Sequence, residues 1–266
     1  MIHLKSDDAD IAYEVLGSGA PLVLLHPFPV HHEFWWPAAR LLLPRYQVIL
    51  PDLRGHGESG AGEGPVTMEK HATDIVRVLD HVEVGRAAFA GVSIGGYALF
   101  EFWRKYRGRV AAMALFNTKA PADDPEAKTA RLQAAADVLD TGTEPFFESL
   151  VPKLLGKSTR ESRPDLVDGA LRMMRRMSPG NVAQVQTGMA ERLDSVADLK
   201  SINVPTLIVT GDEDILTGPP EAEQLRQNIP SSELKILRRA GHYSAWEQPA
   251  EAGKLLRQFF DSVHGV

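Results

Sequence analysis

Short apolar runs recur along the chain at intervals filled by segments with helical spacing. Two β-type runs open it, Ile2–Lys5 and Ile11–Leu16, split by the polar Ser6-Asp7-Asp8, and together they predict a hairpin. Six more follow: Leu22–His26, Gln47–Pro51, Ala87–Gly91, Val110–Asn117, Thr206–Gly211 and Glu233–Leu237. Most are apolar at consecutive rather than alternate positions, as a strand covered on both faces must be. Between them, Ile75, Val78, Leu79 and Val82 fall on one face of a helix over Glu69–Val82, and Ile94–Tyr106 and Ala245–Val263 also read as helices. Gly60–Pro65 is Gly-rich and reads as a loop. Strands alternating with helices predict an α/β protein with a mostly parallel, eight-stranded sheet flanked by helices.

The alternation fails between Asn117 and Val204. This stretch holds four helical patterns and no good strand, and three of the patterns open on a proline, Pro125, Pro164 and Pro179. Proline suits the first helical position because its missing N–H would have no partner there, and Asp124 and Ser178 are suitable caps before two of the three. Residues 120–197 are therefore expected to form a helical cap laid over the sheet, with 1–119 and 198–266 as the core.

At 266 residues the chain sits near the upper limit for one hydrophobic core, which fits one domain carrying an insertion. With 44% hydrophobic and 24% charged residues it has an ordinary globular composition. A formal charge of −6 argues against a nucleic-acid partner, and the arginines of Arg172–Arg176 read as a solvated helix face. The absence of cysteine removes thiol chemistry, disulfides and thiolate-bound metals. Met1–Asp10 is polar, without the apolar centre of a signal peptide, and the longest apolar runs, such as Val110–Phe116, fall far short of the ~20 residues of a membrane span. A cytoplasmic protein with no membrane partner is expected, either monomer or homodimer.

The strongest chemical signal is Gly91-Val92-Ser93-Ile94-Gly95-Gly96, placed after one expected strand and opening the next helix. A nucleophile on such a turn is held in a strained backbone conformation, and small neighbours let the chain fold back sharply. Ser93 is the candidate nucleophile, and the free amide of Ile94 at the helix start is a candidate oxyanion donor. Serine needs a base, and the chain order for this geometry is Ser, acid, His. Only His242 and His264 lie downstream, and His242, in Ala240-Gly241-His242 after a strand, is the better placed. The imidazole needs a carboxylate to orient it. Gly211-Asp212-Glu213-Asp214 offers three; Asp212 suits a turn-holding role and Asp214 lies farther into the loop, which leaves both open. A second oxyanion donor should come from His26-Pro27-Phe28-Pro29, where the prolines have no N–H and Phe28 does.

These motifs, in this order, resemble the α/β-hydrolase superfamily over essentially the whole chain. His26–Pro29 resembles its oxyanion loop, with Pro27 in place of the usual glycine; Asp52–Ser59 resembles the loop after the next strand; Gly91–Gly96 is similar to its nucleophile turn. The resemblance implies that the acid is the later aspartate, Asp214, and that His56 is structural. Ala245–Pro249 is similar to the Glu-Gln-Pro that follows the histidine in small esterases, enol-lactonases and cofactor-free haloperoxidases. It implies acyl transfer to water from a small ester or lactone on Ser93, His242 and Asp214, with no metal or organic cofactor. Enol-lactone hydrolysis, carbon–carbon hydrolysis and peracid formation are alternatives on the same triad. Specificity should lie in the cap: Phe146, Phe147, Leu150, Met173, Met174 and Met177 are candidate walls of an apolar acyl pocket, with Trp35 and Trp36 near its entrance.

Overall fold

A computed structural model describes residues 1–263, so His264 lies outside the described residues. Eight strands form one sheet in the order β1-β2-β4-β3-β5-β6-β7-β8: β1 (Ile2–Ser6), β2 (Ala9–Leu16), β3 (Ala20–Leu25), β4 (Tyr46–Pro51), β5 (Ala87–Val92), β6 (Val110–Phe116), β7 (Thr206–Gly211) and β8 (Ser232–Leu237). Strand β2 runs antiparallel to both β1 and β4, and every other pairing is parallel. All six residues of β5 are buried, as its unbroken apolar run requires for a strand covered on both faces.

From β3 the chain turns to β4 on one side, then crosses to β5 on the other, and the register pairs Leu25 with Gly91 at the carboxyl ends of β3 and β5. Open α/β sheets bind ligands at such a switch point, because the loops diverge there and leave a crevice. The His26–Pro29 loop and Ser93 flank it.

The helices are α1 (Trp36–Ala39), α2 (Met68–His81), α3 (Ile94–Tyr106), α4 (Pro125–Thr141), α5 (Glu144–Leu154), α6 (Lys157–Ser162), α7 (Pro164–Met174), α8 (Pro179–Ala190), α9 (Pro219–Asn228), α10 (Ser244–Glu247) and α11 (Pro249–Val263). Helices α4 to α8 all fall between β6 and β7. Their caps follow the sequence: Asp124 accepts from Ala127 N at 2.8 Å and Ser178 from Asn181 N at 3.2 Å.

Several elements differ from expectation. The segment Lys157–Ser162 is a fifth helix there, too short to show a hydrophobic period. Helix α9 was not anticipated. The expected helix over Ala245–Val263 is broken at Gln248 (φ −127°, ψ 59°), since Pro249 lacks an N–H and keeps the residue before it out of the helical region. No helix among the described residues is long and apolar enough to cross a membrane.

Candidate active site

Strand β5 ends at Val92 and helix α3 begins at Ile94, so Ser93 alone makes the turn. Its backbone sits at φ +53°, ψ −113°, a region that non-glycine residues rarely occupy. The turn is held by Ser93 N donating to Phe116 O at 3.1 Å and by Thr118 Oγ1 donating to Ser93 O at 3.0 Å. Closeness explains the glycines: a Cβ on Gly91 would lie 2.6 Å from the Gly95 carbonyl carbon, and one on Gly95 would lie 2.6 Å from Leu25 O. The side chain of Ser93 is left half-exposed at the mouth of the crevice.

The carboxylate and the imidazole arrive on the loops after β7 and β8. His242 Nδ1 lies 3.0 Å from Asp214 Oδ2, and both side chains are buried. Asp214 Oδ1 accepts from the amides of Leu216 (2.8 Å) and Thr217 (3.1 Å), and Oδ2 accepts from Asn117 Nδ2 at 2.9 Å. Burial opposes ionisation of Asp214, but His242, Asn117 and the Leu216 amide outweigh it and hold the carboxyl well below the usual range. Asp212, the competing acid, is exposed and accepts from Arg239 N at 2.7 Å, so it ties the end of β8 rather than meeting the imidazole. Glu213 turns the other way, accepting from Ser158 N at 2.7 Å in α6. Ser93 Oγ hydrogen-bonds to no described residue, His242 included. Such bonds commonly tighten only when substrate is bound.

The His26–Pro29 loop is fixed from behind. His26 Nε2 accepts from Leu53 N at 2.8 Å while its Nδ1 faces Pro27 O at 2.9 Å, and Tyr243 Oη, one residue past His242, donates to Phe28 O at 2.8 Å. Among the described residues neither Phe28 N nor Ile94 N donates a hydrogen bond, so both amides are free for a ligand. His56 is fully buried, its ring 5.0 Å from His26 and 5.8 Å from Phe28, and burial pushes its pKa down to about 4. Asp52 anchors the neighbouring loop, accepting from His32 N and Glu58 N, both at 2.8 Å.

Two residues that sequence reasoning missed tie Asp214 to the His242 loop. Asn117, the first residue beyond β6, reaches both Asp214 and Gly241 O (3.2 Å). Thr217 Oγ1 lies 3.0 Å from Asp214 Oδ2 and 3.1 Å from His242 Nδ1. The signal for Asn117 was a polar residue closing an apolar strand; Thr217 had none, because the loop brings it back by tertiary folding.

The expected pocket residues separate. Trp35 is fully buried against Phe34 and Phe116, so it does not stand at an entrance, and this corrects the expectation. The physical reason is the tight turn at His32–Trp35, which buries His32, Phe34 and Trp35 together and leaves Trp36 partly exposed. Phe147 and Met174 are also fully buried. Phe146 is half-buried with its ring 6.2 Å from Phe28, facing the oxyanion loop from α5. Trp36 and Met173 line a different cavity, described below. His31, His32 and Asp52 bring ligand atoms within 4.8 Å of one another, a trio not foreseen in the sequence. Both Asp52 oxygens are already taken by His32 and Glu58, so the trio fits a loop anchor better than a cation site.

The profile of the α/β-hydrolase fold matches residues 20–249. The chain belongs to this family. It is similar to a thermophilic esterase from Thermogutta terrifontis, described as malate-bound, with 34% identity, a TM-score of 0.96, and coverage of 99% of this chain and 98% of that one. It is 26% identical to 3-oxoadipate enol-lactonase 2 of Acinetobacter baylyi over 92% of this chain and 91% of the relative. A non-heme haloperoxidase of Rhodococcus erythropolis is 28% identical over 87% and 88% of the two chains. The α/β-hydrolase therefore has relatives with several chemistries on one scaffold, and the site must decide among them.

Proposed function

We propose that this α/β-hydrolase cleaves small carboxylic esters through an acyl-enzyme on Ser93. The observation that carries the reading is the 3.0 Å contact of His242 Nδ1 with Asp214 Oδ2, on loops at the same sheet edge as the strained Ser93 turn. His242 takes the proton of Ser93 Oγ as it attacks the carbonyl carbon, and Asp214 fixes the tautomer that leaves Nε2 free to accept it. The amides of Phe28 and Ile94 hold the oxyanion, a contribution of roughly 100- to 1000-fold in rate for each donor. Collapse of the tetrahedral intermediate expels the alcohol, protonated by His242. Water, deprotonated by the same imidazole, then releases the acid. Similarity to the Thermogutta esterase supports an ester substrate, and the half-buried Phe146 beside Phe28 supports an apolar acyl group. Helices α4 to α8 are proposed as the cap that selects it.

Similarity to the enol-lactonase favours a second reading, in which the ester is cyclic and its ring opens on the same triad. Fluorophosphonate labelling, with Ser93→Ala as control, combined with rates on acetyl to dodecanoyl nitrophenyl esters and on lactones, tests both. Labelling lost in Ser93→Ala with turnover of short esters is expected. Labelling with turnover of lactones only supports the second reading, and no labelling overturns both.

A further inference from the structure

The arginines of Arg172–Arg176 are solvent-exposed, as a solvated helix face implies, and two of them also line a cavity. Between α7 and the segment 31–40 lies a cavity of about 390 Å³, into which Arg40, Arg172 and Arg176 project with a single carboxylate, Glu33, among the lining groups. Arg176 approaches Glu58 at 3.4 Å, while Arg40 and Arg172 make no ion pair with any described residue. All three arginines are exposed along this hollow, where a carboxylate can reach them from solvent and pair with their planar guanidiniums.

A second observation is independent of the arginines. His31 lines the same cavity, is 2% exposed, and its Nδ1 has no hydrogen-bond partner. A buried ring nitrogen without a partner has lost its water without gaining a hydrogen bond in return. The remaining walls are apolar. Trp36 and Trp246 spend their N–H groups elsewhere, on Glu14 (2.9 Å) and on Leu166 O (3.1 Å), so they offer ring surface, and Met173 adds a flexible thioether.

We propose that this cavity binds a small aryl-alkyl carboxylate, its carboxylate on Arg40, Arg172 and Arg176 and its apolar body between Trp36 and Trp246. Planar guanidiniums match a carboxylate in pairs of parallel hydrogen bonds, and tryptophan faces suit an aromatic ring. The volume falls within the range of small-molecule pockets, roughly 300–1,000 Å³, and exceeds what a bare inorganic anion fills. The cavity is distinct from the candidate triad: Ser93, Asp214 and His242 are not among its lining residues, and Phe34 packs against Tyr243 (5.3 Å between rings) and Trp246 (6.3 Å). The site therefore recognises an acid without depending on turnover.

Calorimetric titration of the full chain with 4-phenylbutyrate reads the binding directly. A dissociation constant on the order of 0.1 mM is expected, weakened about 10-fold by Arg40→Gln or Arg172→Gln and unchanged by Arg257→Gln, an exposed control on α11. 4-Phenylbutan-1-ol and inorganic phosphate should each bind at least about 10-fold more weakly, the first lacking the charge and the second the apolar body. Equal binding by wild type and both arginine variants overturns the proposal, as does phosphate binding as tightly as phenylbutyrate, which would mean an adventitious ion only. Because the readout is heat of binding rather than ester turnover, an inactive triad would leave this result unaffected.

Discussion

Glu247 holds Gly241, the residue before His242, through a hydrogen bond from Gly241 N to Glu247 Oε1 at 2.9 Å, and its other oxygen accepts from Gly156 N at 2.8 Å. One buried carboxylate thus joins the histidine loop to the α5–α6 junction. Tyr243 N adds a second tie, donating to Leu154 O at 2.9 Å, and Glu213, beside Asp214, takes Ser158. The acid loop and the base loop are both pinned to one short segment, residues 154–158.

Glu247 acts on the chemistry only through this positioning. Glu247→Gln keeps the shape but turns an amide donor toward one of the two backbone N–H groups. The variant should lose about 1–3 kcal/mol of stability to urea unfolding, the cost of one buried unpaired donor. Its kcat on nitrophenyl butyrate should fall about 10-fold with KM within a factor of two, because a shifted imidazole spoils the proton transfer rather than ester binding. A KM-dominated loss would show that the segment shapes the pocket and not the triad.

Asp214→Asn and Asp212→Asn should behave differently. The first removes the only carboxylate that meets the imidazole among the described residues and should cost on the order of 10⁴ in kcat, as loss of the orienting acid does elsewhere. Asp212→Asn retains an oxygen for Arg239 N and should stay within about three-fold of wild type. Steady-state rates of the two purified variants decide it, and the reverse order would overturn the assignment.

Thr217→Val removes a hydroxyl from between Asp214 and His242 while keeping the volume. Turnover should drop about 10- to 100-fold, and the acid limb of the kcat/KM profile should shift, because the hydrogen bonds that tune the pair have changed. A purely structural threonine would lower stability and leave that limb in place.

Stability should fall on mild acidification. Burial pushes the pKa values of His31 and His56 down to about 4, from 6.5 in an exposed imidazole, and drives His26 and His71 well below the usual value too. Between pH 6.5 and about 4 the unfolded chain binds protons that the folded chain refuses, so stability drops as pH falls through that window. Each such histidine contributes a slope of up to about 1.4 kcal/mol per pH unit. His32 works in the opposite sense, since Asp52 outweighs burial and raises its pKa. Urea midpoints at pH 7, 6 and 5 should fall more steeply for wild type than for His56→Asn. Equal slopes would show that His56 is not the buried neutral group described.

The strands and the Ser93 turn were legible in the sequence because each is local. An apolar run in a doubly covered strand, a glycine at a sharp turn and a proline opening a helix leave their mark within a few residues. The breaks at Gln248 and around the short α6 were harder, because a helix of six residues shows no period and Pro249 sits inside a continuing helical pattern. The choice between Asp212 and Asp214 needed the family resemblance, since both sit in one loop with equal chemistry. Only the folded chain shows which carboxylate meets the imidazole, because that depends on where the loops after β7 and β8 cross. The same holds for Asn117, Thr217 and Glu247, whose partners lie 97, 25 and 91 positions away. Trp35 and Trp36 are adjacent and chemically identical, yet one is sealed in the core and the other lines the arginine cavity. The sequence determines that a sharp turn forms at Ser93 and that rings and charges exist to surround it; three-dimensional packing decides which of them face each other, because distant segments meet only when the sheet and its crossings are complete.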